Sequence, residues 1–153
     1  MLRTFARIVV ILFTIGVYGS TDYQPSAFIE DTKFIGSLHQ NNEVEMFLGI
    51  PFAVPPINDL RWEKPVAWTP ENKKEITANK FRAACIQNQR IVNWYKRLIL
   101  DFGGDPRTFD IPEFSEDCLY LNLWRPRELK NNLPVIVYIH GGSNKAGWAY
   151  EPN

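Results

Sequence analysis

The chain has 153 residues, 45% of them hydrophobic, which suits one domain with an apolar core. Seventeen basic residues balance seventeen acidic ones, so composition offers no electrostatic footprint for nucleic acid or for a strongly charged partner. No His/Cys cluster has metal-ligand spacing and no glycine signature for phosphate occurs, so no cofactor or metal is expected.

Residues 1–19 stand apart from the rest. Arg3 and Arg7 give a basic start, residues 8–18 are mostly apolar, and Gly19 and Ser20 supply small residues. This is the layout of a secretory signal peptide. An uncleaved N-terminal anchor is the alternative, but the stretch is shorter than the ~20 residues a spanning helix needs. The expectation is a signal peptide over 1–19, a secreted protein over 20–153, and no stable membrane span.

From residue 27 to residue 48 the pattern reads as strands. Phe28, Ile29, Phe34 and Ile35 form one cluster, 36–42 reads as a turn, and Val44, Met46 and Leu48 alternate with polar neighbours. A β-hairpin is the simplest interpretation, with those alternating residues facing inward. The run Gly49-Ile-Pro-Phe-Ala-Val-Pro-Pro56 holds too many prolines for a regular element and is expected as an extended, packed loop. Residues 60–68 form another proline-flanked loop, and 79–93 has mixed helical character around Phe81, Ala84 and Ile91. Residues 92–102 predict a short amphipathic helix, ended by Gly103 and Gly104. Residues 118–124 alternate cleanly, with Leu119, Leu121 and Leu123 on one face of a strand.

The two cysteines are Cys85 and Cys118. An even count in a secreted chain suggests a disulfide, and only one intrachain pairing exists. Closing that loop would stabilise by roughly 3–4 kcal/mol. Two buried free thiols are the alternative. No Asn-x-Ser/Thr acceptor site occurs.

The most informative segment is Leu133-Pro-Val-Ile-Val-Tyr-Ile-His-Gly-Gly142-Ser143. Val135, Ile136, Val137 and Ile139 form the β-branched run of a buried central strand, and Pro134 at its start is tolerated there. Gly141 and Gly142 let the backbone turn sharply and come close to a ligand. Amides exposed by such a turn can face a developing negative charge, as in an oxyanion hole. The plainer reading is a tight strand-to-loop turn with no chemical role.

Four blocks then occur in order: Phe47-Leu-Gly-Ile-Pro-Phe-Ala-Val-Pro-Pro56, Leu60-Arg61-Trp62, Ser115-Glu-Asp-Cys-Leu-Tyr-Leu-Asn122 and Leu133-Pro-Val-Ile-Val-Tyr-Ile-His-Gly-Gly142. Together they resemble the N-terminal part of a type B carboxylesterase, the family of cholinesterases and neuroligins. The resemblance runs from residue 27 to residue 150. It implies an α/β-hydrolase fold (a β-hairpin plus the first strands of the central sheet, incomplete), a Ser-Glu/Asp-His triad and hydrolysis of small-molecule carboxylic esters. It also implies that Cys85 pairs with Cys118 and that Arg61 and Glu116 form a buried salt bridge. The loop carries over as oxyanion-hole donors at the backbone N–H groups of Gly142 and Ser143. Serine keeps that N–H, although the family usually has glycine or alanine there. Asn144 departs further, because an aromatic or apolar residue is usual, and Gly147 keeps the family spacing. Thr108 stands where cholinesterases carry a choline-stacking tryptophan, which argues against choline esters. Trp94 is a weaker candidate for a substrate gorge.

The nucleophile elbow Gly-x-Ser-x-Gly does not occur. The serines are Ser20, Ser26, Ser37, Ser115 and Ser143, none in the required setting. His39 lies in a polar turn, and His140 by resemblance supports the loop. No triad can be assembled. The sequence therefore reads as an N-terminal portion truncated before the elbow, expected to be inactive alone and to expose an unfinished sheet. The alternative is a catalytically inactive, neuroligin-like adhesion protein that keeps the fold.

Overall fold

The computed structural model describes residues 23–70, 75–128 and 132–150. The expected signal peptide over 1–19 lies outside the described residues. Strands β1 (Ser26–Ile29) and β2 (Thr32–Ile35) form an antiparallel hairpin around a two-residue turn at Glu30 and Asp31. Strands β3 (Ser37–Leu38) and β4 (Val44–Pro51) form a second antiparallel pair, so the expected single hairpin is two.

In β4 the buried residues are Glu45, Phe47, Leu48, Gly49 and Ile50, while Val44 and Met46 are half-exposed. The strand therefore has the opposite phase to the expected Val44-Met46-Leu48 face. A carboxylate turns inward because partners await it, and Phe47 follows it onto the same face. The phase then shifts at Gly49, where the ladder is irregular between Leu48 and Ile50. Gly49 has φ +75°, a conformation costly for a side-chain-bearing residue. Its N–H leaves the ladder and donates to Asn122 Oδ1 at 2.9 Å. Such a bulge lets Leu48 and Ile50 both reach the core.

Short β5 (Glu75–Thr77) pairs parallel with β2 and completes a sheet of order β1-β2-β5. Strand β6 (Ala84–Cys85) occupies part of the 79–93 stretch whose pattern suggested helix. It pairs parallel with β7 (Phe114–Ser115), a ladder that local propensity does not reveal. Helix α1 (Arg90–Asp101) lies between them. Gly104 N–H bonds to Ile99 O at 2.8 Å and Gly103 N–H to Leu100 O at 2.9 Å. These two bonds are the Schellman stop that the glycine pair predicts. Strand β8 (Tyr120–Pro126) pairs antiparallel with β4 in a sheet of order β3-β4-β8.

Two buried clusters hold the described residues together. Phe34, Phe47, Ile50 and Ala78 form one, with Trp68 packed edge-on against Phe34. Ala84, Val92, Phe109 and Trp148 form the other, against Tyr95, Ile99 and Tyr150.

The expected central strand at 135–139 is not formed. Ile136 is 91% exposed and Tyr138, the least exposed of the five, is 72% exposed. A strand exists only through its ladder bonds, and no neighbour among the described residues takes up this segment. Strand β8 is an edge of its sheet. Its Leu121 and Leu123 share a face with Ile50 and Phe47 through the register, yet remain exposed for want of an outer neighbour.

Candidate functional site

The glycine loop follows this unpaired apolar segment. Gly142 has φ +112°, and Ser143 and Asn144 both have φ +56°. Three successive left-handed residues reverse the chain, closed by Lys145 N–H donating to Gly142 O at 3.0 Å. A Cβ built on Gly142 would lie 1.8 Å from Ala146 O, so only glycine fits without moving backbone. A Cβ on Gly141 would meet nothing within 4 Å. The two glycines are thus unequal, and the second is the one the geometry requires. Asn144 finds a local reason in its φ, because Asn tolerates the left-handed region better than an apolar or aromatic residue does.

The Gly142 and Ser143 amides donate to no acceptor among the described residues. His140, with Nδ1 protonated, donates to Gly141 O at 2.8 Å and so braces the entry to the loop.

The exit of the loop is held more firmly. Gly147 N–H donates to Gln87 Oε1 at 2.6 Å, and Gln87 Nε2 donates to Gly147 O at 2.8 Å. Gln87 Nε2 also donates to Cys85 O at 3.1 Å. Trp148 then enters the core cluster with Ala84, Val92 and Phe109. Two residues on, Tyr150 stacks on Phe81 with ring centroids 4.4 Å apart. Neither Gln87 nor Trp148 stands out in the sequence. The one available signal was the position of Gln87, two residues beyond a cysteine.

Cys85 and Cys118 are joined by a disulfide, with Cα atoms 5.0 Å apart. The β6–β7 ladder sets Cys85 beside Ser115, which places Cys118 within reach three residues later. Arg61 Nε contacts Glu116 Oε1 at 2.7 Å, but the side chains are 59% and 34% exposed. The pair therefore forms at the surface and not in the expected buried setting. Arg61 sits in a polar loop after a short 3-10 turn (Asn58–Leu60), and no apolar layer covers it. The buried ion pair is a different one, Glu45 with Arg125 at 2.6 Å.

A cavity of about 300 Å³ lies beside this assembly, lined by Lys80, Arg82, Glu113, Asp117, Tyr120 and Tyr150 among others. Burial pushes the Tyr120 phenol up to about 12, helped by its hydrogen bond to Asp117 Oδ1 at 2.8 Å. Gly142 and Ser143 do not line this cavity, nor does Trp94, which is 54% exposed and packs edge-on against Tyr95. Among the described residues no group of three His, Cys, Asp or Glu could hold a metal ion. None of their helices is long and apolar enough to cross a membrane.

Comparison with known proteins gives a consistent picture. The model of the carboxylesterase family matches residues 26–151. Carboxylesterase 5A of Mus musculus is 40% identical over 111 residues, covering 69% of this chain and 18% of its own length. Fumonisin B1 esterase of Sphingopyxis macrogoltabida is 33% identical over 139 residues, covering 84% of this chain and 22% of its own. Chlorogenic acid esterase of Aspergillus niger is 38% identical over 114 residues, covering 69% and 20%. Among solved structures, a thermophilic PNB esterase superposes with a TM-score of 0.62 at 28% identity, over 80% of this chain and 22% of that one. The chain spans about a fifth of the length of these relatives.

Proposed function

The chain belongs to the carboxylesterase family, and from that premise we propose that residues 141–147 supply the oxyanion-hole loop of a secreted serine carboxylesterase. In such an enzyme a serine attacks an ester carbonyl and the carbonyl oxygen gains negative charge. The N–H groups of Gly142 and Ser143 would donate to it, and each fixed donor of this kind supplies about 2.7–4 kcal/mol of transition-state stabilisation. The observation that carries this reading is the pair of adjacent amides without an acceptor among the described residues, in a turn that excludes a side chain at Gly142. The substrate class is a small-molecule carboxylic ester. Secretion is supported by the composition of residues 1–19 and by the disulfide.

These 153 residues do not by themselves turn over esters. Among the described residues no serine hydroxyl is hydrogen-bonded to a histidine. Ser115 Oγ instead accepts from Asp117 N–H at 3.1 Å. The purified chain should hydrolyse p-nitrophenyl acetate no faster than buffer, and measurable turnover would overturn this part of the reading.

The loop itself is tested by titrating the isotope-labelled chain with phenylphosphonate, a stable oxyanion. Saturable downfield shifts of the Gly142 and Ser143 amide protons are expected. Their absence, with the rest of the spectrum folded, would remove the chemical basis for an oxyanion hole.

A further inference from the structure

We propose that Gln87 is a positioning residue for the glycine loop, acting through the Ala146–Gly147 peptide. The proposal rests on the oxyanion-hole reading and adds to it the part that sets where the two amides lie.

One peptide plane, Ala146–Gly147, links the two ends of the loop. Its N–H, on Gly147, donates to Gln87 Oε1 at 2.6 Å. Its carbonyl oxygen, on Ala146, is the atom that a Cβ on Gly142 would strike. Holding this plane at one end therefore fixes what Gly142 packs against at the other. The turn bond from Lys145 N–H to Gly142 O, 3.0 Å, stiffens the chain between them.

Gln87 grips the next peptide as well, since its Nε2 donates to Gly147 O at 2.8 Å. A carboxamide is the side chain that can accept from an N–H and donate to a C=O at once. The same Nε2 donates to Cys85 O at 3.1 Å, so the clamp is tied to the disulfide-bonded backbone. Beyond it, buried Trp148 locks the chain into the cluster around Val92 and Phe109. The loop exit thus has a rigid mount, and Gln87 is the polar link between that mount and Gly142.

The chemistry supplies its own control. In Gln87→Glu the ionised carboxylate still accepts from Gly147 N–H but cannot donate to Gly147 O or Cys85 O. The protonated carboxyl accepts from Gly147 N–H and donates its single O–H to Gly147 O, giving up only the bond to Cys85 O. The variant should therefore restore the loop below its carboxyl pKa, near 4.3 in an unperturbed glutamate, and release it above.

The experiment uses the whole 153-residue chain, isotope-labelled, as wild type, Gln87→Ala and Gln87→Glu. In Gln87→Ala the Gly142 and Ser143 amides should shift, and Gly147 N–H should exchange with solvent about tenfold faster, the scale of one lost hydrogen bond. In Gln87→Glu the same two amides should titrate, resembling wild type at low pH and Gln87→Ala at neutral pH. Should Gln87→Ala fail to fold, the Gln87→Glu titration decides alone. Disturbance confined to Gly147, with Gly142 and Ser143 unmoved, would overturn the proposal. Phenylphosphonate separates the two readings. If it binds the wild-type loop, Gln87→Ala should weaken it at least about tenfold. If it does not bind wild type, the oxyanion reading fails, while the coupling of Gln87 to Gly142 is still decided by the shifts.

Discussion

Glu45 and Arg125 face each other directly across the β4–β8 ladder, with the carboxylate fully buried and 2.6 Å from the guanidinium. Arg125 also donates to Ser26 O at 2.9 Å and lies 4.9 Å from the centroid of the Phe47 ring. Tyr23 donates its hydroxyl to the other oxygen of Glu45. One ion pair thus joins three strands. Arg125→Ala would leave a buried carboxylate with only a phenol, and the expected loss is about 3–5 kcal/mol in denaturant unfolding. The double change Glu45→Leu with Arg125→Met removes both charges and should recover most of that loss. Equal losses in the single and double variants would show that the charges are not coupled.

Arg61 and Glu116 predict the opposite outcome. Their contact is 2.7 Å, but more than half of the arginine side chain is in solvent. Exposed pairs contribute about 0–1 kcal/mol. Glu116→Ala should therefore cost less than about 1 kcal/mol, and 0.5 M salt should remove most of the difference from wild type. A loss as large as that of Arg125→Ala would mean the pair is shielded from water.

The contrast between these pairs marks what the sequence could and could not say. Elements governed by local rules were legible. Helix α1 stops at its glycine pair, and the alternating run of 118–124 marks strand β8, although its leucines stay exposed. The phase of β4 was not legible, because it depends on Arg125 eighty residues away, on another strand. Within 79–93 the helical character holds only from Arg90, where α1 begins, and β6 is not legible for the same reason, since it exists only through a parallel ladder to Phe114 and Ser115. The apolar run at 135–139 carries every residue a central strand needs, yet composition cannot provide the neighbours that would pair it. At the glycine loop the residue types pointed to the turn. Its mount did not show, because a glutamine and a tryptophan become informative only once Gly147 is seen between them.

Tyr120 gives the chain a distinctive alkaline limb. Burial first, then the hydrogen bond to Asp117, hold its phenol up to about 12. In the unfolded chain the same group ionises near 10. Between these values the folded chain keeps a proton that the unfolded chain has released. Stability from this group is therefore complete below pH 10 and falls as pH rises toward 12. Tyr120→Phe should flatten that part of the stability profile and remove the highest-pH component of the phenolate absorbance titration. An unchanged titration curve would place Tyr120 in an ordinary aqueous environment.

The two glycines of the loop should respond differently to the same methyl group. Gly141→Ala meets open space and should leave the chain unchanged. Gly142→Ala adds a Cβ against Ala146 O at a φ of +112°, so the loop must move. Resonances from residue 143 to residue 148 should shift in Gly142→Ala alone, while those of the β4–β8 pair stay in place. Equivalent spectra for the two variants would show that the turn is not the one described.

The exposed run at 135–139 sets the chain's behaviour in concentrated solution. Five exposed apolar residues whose N–H and C=O groups bond to no described residue are a template for pairing with another copy. The chain should scatter light increasingly with concentration, and a β-sheet infrared signal should grow with it. Ile136 is the most exposed residue of the run, so Ile136→Lys adds charge without opening a cavity. That variant should suppress the association and leave the unfolding free energy within about 0.5 kcal/mol of wild type. Association undiminished in Ile136→Lys would move the sticky surface elsewhere, with the open outer edge of β8 as the next segment to charge.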